Sequence, residues 1–101
     1  MNPAGLLAQV NGAIIQGLGP ILREEMIFQD GRLENGTFMG YKVPRFADVP
    51  PIDTFLLDRP DLAPAGAGET PLISVAPAIT NALSKALGQR LRQLPLKLPV
   101  V

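Results

Sequence analysis

A helical repeat near the start constrains the fold of this chain more than any other feature. From residue 3 to about residue 25 the sequence sorts onto two faces when placed at about 100° steps. Gly5, Gln9, Gly12, Gln16 and Gly19 share one stripe, and Leu7, Val10, Ile14, Leu18, Ile21 and Leu22 lie on the other side. Each glycine inside a helix costs roughly 1 kcal/mol relative to alanine. A stripe that repeats glycine therefore needs a compensating role. Two are open: close approach of another backbone or of a ligand to that face, or tight packing against a helix or sheet. Gly19-Pro20 is expected to break or kink the helix, because Pro20 has no N–H to give the ladder.

Downstream, residues 26–29 and 33–38 read as strands around Asp30-Gly31-Arg32, and Asp-Gly between two such runs is a strong hairpin signal. Residues 41–51 are proline-rich and extended, 52–57 read as a further strand, and 60–68 form a loop holding prolines and glycines. A second helix is expected from about Thr70-Pro71, with Thr70 as N-cap and Pro71 at the first helical position. Pro77 leaves its regular start anywhere up to Ala76. Ile73, Pro77, Ile79, Leu83 and Leu87 supply its apolar side, and Gly88 stops it. Residues 90–101 read as a short strand plus loop. The class is α+β: a long N-terminal helix, a β-hairpin and further strand, and a second helix near the C-terminus.

At 101 residues the chain is one domain at most. It is 47% hydrophobic and 18% charged, apolar for a body with so much surface to cover. Either other protein covers part of it, or it is a small, greasy domain. Nine acidic and nine basic residues cancel, and no basic patch gives nucleic acid a footprint. Arg90, Arg92 and Lys97 form only a loose cluster, read as a solvated edge.

With no Cys and no His, thiol nucleophiles, disulfides, Cys/His zinc sites and cysteine-ligated iron–sulfur clusters are excluded within the chain. A Ser-His-Asp triad would need a partner. Chemistry is left to carboxylates, hydroxyls, amides and backbone groups. No continuous apolar run reaches the length of a membrane span, and the start lacks the basic region of a secretory signal. Localisation is not readable; cytoplasmic is the default and periplasmic stays open. The helical pattern follows almost at once on Met1-Asn2, as expected of a domain fragment.

The segment with most chemical content is Ala65-Gly66-Ala67-Gly68-Glu69-Thr70-Pro71. Small residues let backbone pass close to a bulky ligand. Glu69 follows at the mouth of a helix, whose N-terminus favours the carboxylate, while burial in a dry pocket would favour the acid. Opposed influences of that kind suit a general base. Alone, the pattern fits plain helix capping as well.

Several segments together resemble one family. Gln9-Val10-Asn11-Gly12-Ala13-Ile14-Ile15-Gln16-Gly17-Leu18-Gly19 resembles a motif helix of the molybdenum hydroxylases, the xanthine dehydrogenase and aldehyde oxidoreductase family. Arg23-Glu24-Glu25, Asp30-Gly31-Arg32, Tyr41-Lys42-Val43-Pro44-Arg45-Phe46, Val49-Pro50-Pro51-Ile52 and Ala67-Gly68-Glu69-Thr70-Pro71 follow in the family's order. The resemblance runs over nearly the whole chain. It implies that residues 1–101 are a single C-terminal segment of the molybdopterin-binding large subunit. It implies that Glu69 is the catalytic base beside the molybdenum cofactor and that Gln9 contacts the pterin. Gly66, Ala67 and Gly68 would form the loop passing close to the metal centre, with no metal ligand from this chain. Gln16 and Gly17 lie in the same motif without an assigned contact; Gln9 and Gln16 are about 10 Å apart along the helix, so at most one sits close to the ligand's polar head.

The implied reaction is hydroxylation of a carbon in an aldehyde or N-heteroaromatic with oxygen from water, Glu69 taking the proton. The implied partners are the remainder of the molybdopterin-binding subunit, an iron–sulfur subunit and a small-molecule substrate. Iron–sulfur clusters, and FAD or haem where used, would sit on partner chains. Too few contacts are present here to hold a large cofactor, so the isolated chain is expected to be inactive. Two other readings stay open: a non-catalytic α+β interaction module in which Glu69 merely caps, and a truncated remnant with no stable fold. All of this requires Glu69 to project into a cavity shared with the glycine-and-glutamine face of the first helix.

Overall fold

Helix α1 spans Pro3–Leu22 in the computed structural model, which describes residues 2–97. Asn2 caps it: its side-chain oxygen accepts from the N–H of Ala4 at 3.0 Å and of Gly5 at 3.4 Å. Pro3 fills the first turn, where its missing N–H costs nothing. Of the break or kink expected at Pro20, the break does not occur; α1 runs through it to Leu22. The carbonyl that Pro20 leaves without a donor belongs to Gln16, an exposed residue, where solvent can satisfy it. The helix stops short of residue 25 because the Gly19 carbonyl accepts from both Arg23 and Glu24 N–H, each at 2.8 Å.

The hairpin forms where Asp-Gly predicts it, but with shorter arms. β1 (Phe28–Gln29) pairs antiparallel with β2 (Arg32–Leu33), Phe28 opposite Leu33 and Gln29 opposite Arg32. Asp30 and Gly31 both take positive φ, 49° and 75°, as a tight two-residue turn requires. One more rung joins Glu34 N–H to the Ile27 carbonyl at 2.9 Å. Then a side chain takes over: Asn35 Oδ1 accepts from Ile27 N–H at 2.9 Å and Nδ2 donates to the Glu25 carbonyl at 2.6 Å. That capture ends the ladder before residues 35–38 can join it.

Residues 52–57 form no strand, although the sequence predicts one, because no backbone among the described residues lies alongside to pair with them. Residues 90–97 are likewise without a strand, and the rest of the predicted tail, 98–101, lies outside the described residues. Helix α2 spans Leu72–Leu87. Pro71, not Thr70, stands at its N-cap and makes no side-chain capping bond; Ser74 Oγ instead donates to the Pro71 carbonyl at 2.9 Å. Pro77 lies inside α2, and Gly88 ends it in the left-handed conformation at φ 69°, as its sequence position predicts.

The two helices pack against each other around Leu18, Ile21, Val75 and Leu96, flanked by Ile14, Ala76, Ile79, Leu83 and Leu91. The tail is stitched in by Leu96 N–H, which donates to the Ile21 carbonyl at 2.7 Å. By length and composition α1 could cross a membrane; its Ala13, Gly17, Leu18, Gly19 and Ile21 are buried against the rest of the chain. The core is small for the chain. The radius of gyration is 16.8 Å, against about 13 Å for a compact chain of this length. The accessible surface is 8304 Å², against about 5,500 Å² for a compact monomer of this mass. The excess includes Phe38, Phe46 and Phe55, all almost fully exposed.

Candidate functional site

The loop before α2 is turned back by a local clamp. Arg59 donates to Asp61 through Nε at 2.9 Å and Nη2 at 2.7 Å, and Leu62 N–H closes a turn on the Arg59 carbonyl at 3.1 Å. The guanidinium beside Asp61 holds its carboxyl below the usual range. The chain then crosses α1. A Cβ added at Gly68 would lie 3.8 Å from Gln9 Oε1, an ordinary contact distance, so the loop passes beside the helix there. Gly66 faces open space, and Ala67 is half-buried between them.

Glu69 comes next. Its carbonyl accepts from Leu72 N–H at 3.0 Å, which places it at the mouth of α2, while its side chain is exposed. The structure thus places Gly68 beside Gln9, while Gly66 and Glu69, its near neighbours in sequence, are exposed. The described residues do not form the cavity that the sequence reading requires of Glu69, whose side chain is exposed: the grooves along Arg23, Tyr41 and Asp48 and along Met26, Leu33 and Phe38 lie elsewhere. Among the described residues no group of three or more His, Cys, Asp or Glu is arranged to hold a metal ion.

The glycine stripe divides by position. Gly12 faces open space and Gly5 meets only the Asn2 cap. A side chain at Gly19 would collide with the Glu24 carboxylate, which also accepts from the Tyr41 hydroxyl at 2.9 Å. The close helix approach falls at Gly17, off the stripe: a Cβ there would be 3.1 Å from Leu72 Cδ1 and 3.1 Å from Val75 Cβ. Sequence reasoning gave Gly17 no contact. The available signal was its place four residues before Ile21 and three after Ile14, on the buried face. Of the basic cluster, Lys97 reaches Glu25 at 3.6 Å, and Arg90 and Arg92 are exposed.

A family model described as a molybdopterin cofactor-binding domain matches residues 1–50, the stretch that carries Gln9. Isoquinoline 1-oxidoreductase subunit beta of Brevundimonas diminuta is 40% identical over 96 residues, covering 95% of this chain. The chain belongs to the molybdenum hydroxylase family. A second relative of this family segment is the aldehyde oxidoreductase molybdenum-binding subunit PaoC of Escherichia coli K12, 37% identical over 105 residues and covering 97% of the chain. Among solved structures, quinoline 2-oxidoreductase from Pseudomonas putida 86 superposes with a TM-score of 0.76 at 36% identity over 86% of the chain. The chain spans 12% of the length of the first and third of these proteins and 14% of the second. Both sequence matches extend over nearly the whole hydroxylase segment, beyond the residues that the family model covers.

Proposed function

We propose that this chain forms one wall of the molybdopterin site in a hydroxylase acting on aldehydes or N-heteroaromatics, with Glu69 as the base. The observation that supports the reading is the proximity of Gln9 Oε1 to Gly68, 3.8 Å from where a Cβ would stand, one residue before Glu69. Two distant segments, each with its own likeness to the family, converge there. The surface fits the group: an exposed amide, open space at Gly66 and Gly12, and an exposed carboxylate. Gln9 would hold a polar group of the pterin, and Gly66, Ala67 and Gly68 would leave room for its body. Bound there, the cofactor supplies oxidation of an activated carbon with oxygen drawn from water.

Glu69 takes the proton released from that oxygen at a carboxylate oxygen. Its backbone anchors to the first turn of α2 through Leu72 N–H, which sets where the side chain emerges. No side-chain capping hydrogen bond is made at α2, which leaves the Glu69 carboxylate available for another role. The remainder of the subunit would close the cavity, and an iron–sulfur partner chain would carry electrons away.

The test is E69Q in the assembled subunit, where Gln keeps the shape and removes the base. Turnover should fall by about 10²–10⁴-fold, with molybdenum content unchanged. Wild-type turnover in E69Q overturns the assignment. The chain expressed alone and supplied with cofactor should not oxidise either substrate class.

A further inference from the structure

We infer that residues 52–57, unpaired here, become a β-strand by pairing with the remaining polypeptide of the molybdopterin-binding subunit, and that this pairing docks the segment. The inference rests on the reading that such a subunit is the chain's working context.

The sequence of the segment is Ile52-Asp53-Thr54-Phe55-Leu56-Leu57, bounded by Pro51 and Pro60. Branched and aromatic residues between prolines are what a strand requires. Yet among the described residues none of its backbone groups joins a backbone hydrogen bond. Burial alternates with the period of a strand from Ile52 to Phe55: Ile52 and Thr54 are half-buried, Asp53 and Phe55 face outward, and Leu56, at 36%, is less exposed than Phe55 at 90% and Leu57 at 87%. The inner side is tied to α1, where Thr54 Oγ1 donates to Asn11 Oδ1 at 2.8 Å. So one face is already seated, the other carries the bare Phe55 and Leu57 beside Asp53, and the backbone groups of both edges are unpaired.

A row of unpaired N–H and C=O groups beside bare apolar side chains is a template for strand addition. The occupant follows from size. The chain spans only 12–14% of the sequence relatives above, so most of the polypeptide that would complete the body lies outside it. The surface exceeding that of a compact monomer shows that the body is open. Pairing would also fix α1, because Asn11 lies two residues from Gln9.

The test compares amide hydrogen exchange of residues 52–57 in the lone chain and in the assembled subunit. Assembly should slow alternate amides by at least about a hundredfold. F55P removes one donor, F55K keeps it but charges the bare face, and both should lower recovery of the assembled subunit. If F55K blocks assembly while the amides stay unprotected, the face is a contact but not a strand, and the inference fails. Protection that rises with concentration in the lone chain, together with dimerisation, identifies a second copy as the partner and also overturns it. An assembled subunit with protected amides and no molybdenum-dependent turnover refutes the functional reading alone. Turnover with unprotected amides refutes the strand alone.

Discussion

Gly17 offers the sharpest check on how the helices are held. In G17A the new methyl carbon would sit 3.1 Å from Leu72 Cδ1, 3.1 Å from Val75 Cβ and 3.2 Å from Val75 Cγ1. Carbon contacts are most favourable at about 3.5–4.0 Å, so all three are several tenths of an ångström too close. Leu72 can swing its terminal methyl aside. Val75 cannot: its Cβ is fixed to the α2 backbone and the residue is buried. Relief therefore requires α2 to move off α1. Overpacking of this kind costs about 1–3 kcal/mol, and replacing Gly by Ala in a helix returns about 1 kcal/mol. The clash matches or exceeds that gain, with a net loss of up to about 2 kcal/mol. For a chain of this size that is a fall in Tm of up to about 8–16 °C. G12A is the control: nothing lies within 4 Å of its new Cβ, so only the helix gain remains and Tm should rise. Thermal unfolding followed by circular dichroism reads both, on the assembled subunit if the lone chain gives no cooperative transition. G17A reaching the Tm of G12A would show that the α1–α2 seam is not as close as described.

The same G12A change has an opposite expected effect in the assembled subunit. If the open face at Gly12 receives part of the cofactor, the variant that stabilises the chain should lower molybdenum content there, measured by metal analysis; unchanged content would place the cofactor away from Gly12. Tyr41 gives a pH signature. Its hydroxyl donates to Glu24, and that bond, reinforced by partial desolvation and the carboxylate's charge, raises its pKa above the ordinary 10.0. A raised native value means the contribution is complete below pH 10.0 and is lost as pH climbs through the shifted value. Stability measured across alkaline pH should show that loss in the parent chain and not in Y41F; an identical profile in both would remove the Glu24 bond from the account.

Local signals were the most legible. Asn2-Pro3 announced the start of α1, Asp30-Gly31 the turn, and Gly88 the end of α2, because each acts through its own backbone and nearest neighbours. The misreadings came where a distant group decides. The missing N–H of Pro20 predicts a break or a kink; the helix is not broken, because the bond removed falls on an exposed residue near the helix end, while buried Ile21 and Leu18 hold the turn in place. The second hairpin arm ended early because one side chain, Asn35, took the backbone groups that pairing would have used.

The candidate site shows the same division. The meeting of Gln9 with Gly68 needs the loop to return across some sixty positions of sequence, which no periodicity encodes; it was reachable only through the family likeness. The glycine stripe had two readings, packing or an approaching ligand, and the helices chose neither for Gly12: they pack at Gly17 and leave Gly12 bare. A glycine that costs about 1 kcal/mol in a helix and meets nothing within its own chain makes sense when something outside that chain occupies the face. The bare strand edge at 52–57 asks for the same thing in a different form. Both are local choices that do not agree with this body alone and would agree with a larger one, which is the consistency expected of a sequence that specifies a single fold.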